Sequence, residues 1–191
     1  MNRETALPIL KEIYEQGNPF VKLCGIVIDD AGQGMAKSHM TVTKPLTNLV
    51  QRLHGGALAT LIDNIFGVTC RTIGAEVVTQ SITTNLIRNT DIGKTVYAEA
   101  HIHHAGRTTI VLEADVFTEE KKLMAHSIAT MFVSGTDDRF PRKWDENCRG
   151  CGTWTKKNAL QSYRTSSART AMSSTAASSS TRWAAAGRSS T

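Results

Sequence analysis

Apolar residues recur along this chain at two different spacings, and the switches between them mark its elements. In MNRETALPILKEIYEQGNPF, Leu7, Ile9, Leu10, Ile13 and Tyr14 line a short amphipathic helix that Gly17 and Pro19 close. VKLCGIVIDD and GMAKSHMTV then flank Ala31-Gly32-Gln33-Gly34, a hairpin pattern in which glycine supplies the turn. Over residues 57–71, Leu58, Leu61, Ile62, Ile65, Phe66 and Val68 leave almost no polar side, which predicts a buried helix of about four turns that Gly74 ends. Four strand-like stretches follow: VVTQSITTNLIRN, KTVYAEAHIHHA, RTTIVLEADVF and KLMAHSIATMFV. The second alternates with Val96, Ala98, Ala100 and Ile102 on one face, and the third with Ile110, Leu112, Ala114 and Val116. Connectors as short as Ala105-Gly106 make these strands an antiparallel meander. The economical packing is α+β, one central buried helix wrapped by a long antiparallel sheet.

Beyond residue 135 neither period survives. The chain passes through TDDRFPRKWDENCRGCGTW into a run of Ser, Thr, Ala and Arg that cannot bury enough apolar surface to offset its ordering entropy. A domain over 1–135 and a disordered, low-complexity basic tail over 136–191 are therefore expected. This division changes the meaning of the formal net charge of +5. Residues 1–135 hold 12 basic and 13 acidic side chains, net −1, whereas residues 136–191 hold 10 and 4, net +6. The body has no cationic stripe to suit DNA or RNA.

Cys24 and Cys70 lie in apolar surroundings that suit a reducing compartment. Cys148 and Cys151 form a lone CxxC with no second pair of ligands, so no zinc site is expected there. Neither a secretory signal nor a membrane-spanning run is seen, and the first helix is too acidic for a transit peptide. Cytoplasmic residence is expected, with mitochondrial association left open.

The chemistry gathers in LTNLVQRLHGGALATLIDNIFGVTC. Two glycines at the start of a buried helix let a ligand approach the backbone. The first-turn N–H groups have no intrahelical partner and, with the helix dipole, can stabilise a carbonyl oxygen on which negative charge develops. Gly55 and Gly56 equally suit a tight loop-to-helix turn. Asp63 interrupts the apolar run, where an acid loses solvation unless it is paired, set at an interface or used. It either shares a polar strip with Asn64 and Thr60 or works as a nucleophile or a general base for water. Eight residues separate Gly55 from Asp63, which on a helix is about 12 Å along the axis and about 80° around it. One small carbonyl cannot touch both. If both serve one reaction, the acid comes from a second copy of the chain, in a dimer with two equivalent sites.

The order of elements, with Asn48, His54-Gly55-Gly56 and Asp63-Asn64 at these spacings, resembles the hotdog-fold acyl-CoA thioesterases, in particular the branch of acyl-CoA thioesterase 13 and the phenylacetyl-CoA thioesterases. The resemblance covers about residues 4–134. It implies hydrolysis of an acyl-CoA without metal or bound cofactor, by a homodimer that pairs into a dimer of dimers. In it the Gly55 N–H polarises the thioester carbonyl, and Asp63 of the neighbouring subunit activates water or attacks directly. Asn48 and His54 match positions that shape the site, and Ser81 in TQSITTN matches a hydroxyl that helps hold the water. Arg107 and Thr108 in HAGRTT match contacts to the coenzyme A nucleotide. One departure stands out: family members often carry Gly two or three residues before the His, where this chain has Gln51 and Arg52.

Two rival functions fit the same fold. A hotdog hydratase or dehydratase would pair a His with an acid to move a carbon-bound proton, but His54 is about 13 Å from Asp63 in its own chain. A non-catalytic acyl-CoA-binding protein would need no acid at position 63. His101 and His103 share a strand face, and as a metal pair they lack a third ligand in the sequence.

Overall fold

A computed structural model describes residues 1–144, so the CxxC of Cys148 and Cys151 lies outside the described residues. Helix α1, Arg3–Lys11, starts at Asn2, whose side chain accepts the Thr5 N–H while Thr5 bonds back. It runs on through a π-helical turn, Glu12–Gln16. A second helix, α2 (Pro19–Cys24), replaces the start of the expected first strand. Asn18 Oδ1 accepts from Phe20 N and Val21 N, Pro19 occupies the first helical position, and Gly25 closes the helix in the left-handed region at φ 66°. These caps outweigh the apolar run that reads as a strand.

The sheet consists of β1 (Ile26–Gly32), β2 (Met35–Thr41), β3 (Ala75–Leu86), β4 (Thr95–Ala105), β5 (Thr109–Phe117) and β6 (Leu123–Thr136). Its six strands lie in the order β1-β2-β4-β5-β6-β3, and every pair is antiparallel. Long α3, Gly55–Arg71, lies in its concave face with Leu61, Ile62, Ile65, Phe66 and Val68 fully buried. The strands offer it small side chains there, Ala36, Ala98, Ala100, Ala114 and Ala129, all buried. Alanine at these positions lets the sheet curl around the helix at close packing distance. The helix-in-sheet arrangement is the one the sequence pattern predicts. No helix among the described residues is long and apolar enough to cross a membrane.

The last described residues, 137–144, belong to this body, although the sequence pattern places them in the tail. Phe140 and Trp144 are buried. Trp144 Nε1 donates to Thr72 O at 2.7 Å, and Gln33 Nε2 donates to Arg142 O at 2.9 Å, so the segment straps the end of α3 to the β1–β2 turn. Gly74, at φ +74°, passes under the strap so closely that a Cβ would lie 2.2 Å from Phe140 O. Asp137 sits between Arg139 and Arg71, and their guanidinium groups hold its carboxyl down to about 2.

Candidate active site

Helix α3 begins at His54, an N-cap with extended backbone whose Nδ1 accepts the Gly56 N–H at 2.9 Å. That bond leaves the ring proton of neutral His54 on Nε2. The next N–H groups, of Ala57 and Leu58, donate to His54 O. The first N–H of the helix, that of Gly55, donates to no group among the described residues. It is a first-turn donor at the positive end of a buried helix. The two glycines serve different ends: a Cβ on Gly56 would press on His54 Nδ1 at 3.0 Å, whereas one on Gly55 would meet only the tip of Leu86.

Asn48 shapes the approach to this turn from within the chain. Its Oδ1 accepts from Val50 N and Arg52 N, both at 3.1 Å, and closes residues 48–52 into a tight loop. The loop requires Gln51 at φ 60°, which explains why glycine is favoured three residues before the His. Gln51→Gly is expected to stabilise the protein by about 0.5–1 kcal/mol, since a left-handed side-chain residue costs somewhat more than the added freedom of glycine in the unfolded chain. A thermal melt checks this, and a lowered Tm would contradict it. Arg52 is tied to Asp91, Nε to Oδ1 3.1 Å, away from the helix start. Beside the loop lies an open hollow of about 700 Å³ lined by Lys44, Asn48, Leu49, Val50 and His54, in which Leu49 and Val50 are exposed.

Asp63 corrects an expectation. The apolar run suggests a desolvated acid, yet Asp63 is exposed in the single chain, on a narrow strip of α3 with Gly56 and Ala59, while its neighbour Asn64 is buried. Thr79 Oγ1 donates to Asp63 Oδ1 at 2.6 Å. Thr79, which the sequence reading passes over, is thus the hydroxyl that positions the acid. Ser81 follows a bulge at Gln80, pairs with Thr130 and is exposed on the face turned away from α3. A strand one residue longer at that point reverses which hydroxyl faces the helix.

Arg107 and Thr108 are exposed in the β4–β5 turn, where Thr108 O accepts from Val133 N. Arg107 lines a hollow of about 400 Å³ with Gly74, Asp138 and Arg142 at the C-terminal end of α3, so about 25 Å of helix separates it from Gly55 of its own chain. His101 and His103 do share a face, and β5 adds the third donor that the sequence spacing lacks, Glu113.

The profile of the thioesterase superfamily matches residues 51–125, which take in Gly55, Asp63 and Thr79. The acyl-coenzyme A thioesterase PaaI of Escherichia coli is 33% identical over 104 residues, 54% of this chain and 74% of the relative. The chain belongs to the thioesterase superfamily. Its sheet around α3 is the hotdog fold of that superfamily. Human acyl-coenzyme A thioesterase 13 is 29% identical over 111 residues, 56% of this chain and 79% of the relative. Among solved structures, that of the E. coli PaaI protein superposes with a TM-score of 0.65 at 27% identity, covering 69% of this chain and 96% of that one. A hypothetical thioesterase of Streptococcus pneumoniae with coenzyme A gives a TM-score of 0.57 at 27% identity, covering 58% and 87%. Two solved variants of that protein replace an aspartate and a threonine by alanine at positions 16 apart, the separation of Asp63 and Thr79.

Proposed function

We propose that this thioesterase-superfamily protein hydrolyses acyl-CoA thioesters to a free acid and coenzyme A at a site shared by two chains. The observation that carries the reading is the pairing of a Gly55 N–H at the head of α3, unengaged among the described residues, with an exposed carboxylate, Asp63, held by Thr79. The thioester oxygen accepts the Gly55 N–H. The partner's Asp63 takes a proton from water as the oxygen attacks the carbonyl carbon, and the tetrahedral oxyanion is stabilised by that N–H. As the C–S bond breaks, the proton passes to the leaving thiolate. Direct attack by Asp63, with the anhydride hydrolysed afterwards, uses the same atoms. Arg107 and Thr108 offer a cation and a hydroxyl to the phosphates of coenzyme A.

The sheet edge supports the two-chain site. Strand β3 is 12 residues long and pairs with β6 on one side, and no described strand pairs with its other side; it carries neither proline nor lysine, and Val78 and Leu86 are exposed. Such an edge is a template for a second strand. Asp63 stands level with Thr79, and Gly55 level with Leu86. Antiparallel pairing of two β3 strands about a two-fold axis between Ile82 and Thr83 sets each Thr79 opposite the partner's Leu86, and so each Asp63 toward the partner's Gly55. Thr83→Lys places two like charges at that axis and is expected to lower the dimer fraction and turnover together, as read by light scattering and an activity assay. A monomeric variant with full turnover would sink the shared site.

A panel of acyl-CoA substrates with a thiol-detecting reagent tests the reaction. Cys24 and Cys70 are buried, and burial pushes the Cys70 thiol up to about 12, so neither contributes background. Cys148 and Cys151 are titrated before substrate is added. Crotonyl-CoA hydration without thiol release would favour the hydratase, and retention of acyl-CoA without either would favour a binding protein. His54 Nδ1 already accepts the Gly56 N–H, which weighs against a His base acting through that atom.

A further inference from the structure

On the convex face of the sheet, turned away from α3, β4 and β5 bring two imidazoles and a carboxylate to one point. His101 pairs in register with Glu113, and the bulge between Ile102 and His104 makes His103 an extra residue that reaches the same carboxylate. His101 Nε2 lies 3.0 Å from Glu113 Oε1, and His103 Nε2 lies 2.7 Å from Glu113 Oε2. One ligand atom from each of the three residues falls within 4.8 Å of the others. His101 and Glu113 are buried, at 7% and 8% exposure, whereas the His103 side chain is 47% exposed. The rings meet edge to face with centroids 4.6 Å apart.

From this constellation we infer that His101, His103 and Glu113 bind a divalent transition-metal ion of the zinc class. Two imidazole nitrogens and one carboxylate oxygen are a zinc donor set, with a fourth position left for water. A tetrahedral ion with bonds of about 2.0–2.1 Å holds its ligands about 3.3 Å apart. The three ligand atoms, already within 4.8 Å of one another, therefore have to shift by at most about 1.5 Å, and exposed His103 has room to give. An Nε2 that carries a proton has to give it up before it can ligate. Binding turns both Nε2 lone pairs to the ion, and the displaced protons move to Nδ1 or to solvent.

The electrostatic surroundings permit a cation. Glu113 supplies a buried negative charge, and the neighbouring ammonium of Lys37 is already matched by Glu99 at 2.8 Å. On the other flank His126 is taken by Asp115 at 2.7 Å. The inner positions of the same strands, Ala98, Ala100, Leu112 and Ala114, pack in the core, so the sheet separates this site from Asp63 and Gly55. A bound ion would pin the β4 bulge to β5 and act on stability rather than on hydrolysis.

The test uses the full chain stripped with chelator and titrated with zinc chloride, followed by calorimetry and thermal melting, with cobalt(II) as a spectroscopic probe. One zinc per chain at the site, a Tm raised by several degrees and the visible bands of tetrahedral cobalt are expected. His103→Ala, at an exposed position, should fold normally and weaken zinc binding at least about tenfold, and the isosteric Glu113→Gln should do the same. A double variant, Cys148→Ser with Cys151→Ser, should keep the site. Absence of zinc binding, its retention at full affinity in His103→Ala, or its loss only in the cysteine variant would each overturn the assignment.

Discussion

Replacement of Asp63 by asparagine is expected to lower kcat for thioester hydrolysis by about 10²–10⁴ while leaving Tm and oligomeric state unchanged. The expectation of an intact fold comes from exposure: Asp63 faces solvent in the single chain, so no buried charge is uncovered or left unmatched. Its amide replacement keeps an oxygen where Thr79 Oγ1 donates at 2.6 Å, so the side chain is held in the same place. Only the proton acceptor and nucleophile are lost. Turnover near that of the unmodified protein would remove Asp63 from the reaction and leave the acid as a feature of the helix surface alone.

The second large effect is expected at the other half of the site, from Gly55→Pro. Gly55 is the first residue of α3, the helical position that tolerates proline best, because its N–H has no intrahelical acceptor. His54 already has φ −72° and ψ 134°, the extended backbone that a following proline demands. A Cβ at this position would meet the flexible tip of Leu86, which can move aside. The variant therefore deletes one N–H and little else, and kcat should fall by about 10²–10³, the worth of an oxyanion donor. Circular dichroism checks that the helix survives.

Mixing the two inactive proteins then decides between one chain and two. A hybrid dimer carries one site in which an intact Asp63 faces an intact Gly55 of the other chain, so after subunit exchange about a quarter of full activity should return. A site within one chain would recover nothing.

Much of this was legible in the sequence because it is local. The period of Leu58, Leu61, Ile62 and Ile65 marks the buried helix, and the eight-residue gap from Gly55 to Asp63 alone separates the two groups by more than a carbonyl can span. What escaped the sequence depends on register and on distant contacts. Thr79 rather than Ser81 reaches the acid because of a bulge at Gln80, and no pattern in VVTQSITTN announces it. Glu113 meets His101 and His103 only once β4 and β5 are aligned. Helix α2 was hidden by its apolar content, although Asn18-Pro19 and Gly25 are capping signals. The strap of residues 137–144 was hidden by its polarity, since Phe140 and Trp144 are isolated aromatics in a charged stretch.

That strap bears on the time course of folding. Its hydrogen bonds join residues 72 and 109 positions apart, Trp144 to Thr72 and Gln33 to Arg142. Contacts that close such long loops repay their entropy only after the rest of the chain is in place. The strap therefore docks late, onto a helix and sheet already assembled. Weakening it, as in Trp144→Ala, should leave the rate of collapse nearly untouched and hasten unfolding, which makes this short segment the latch that governs how long the native state lasts.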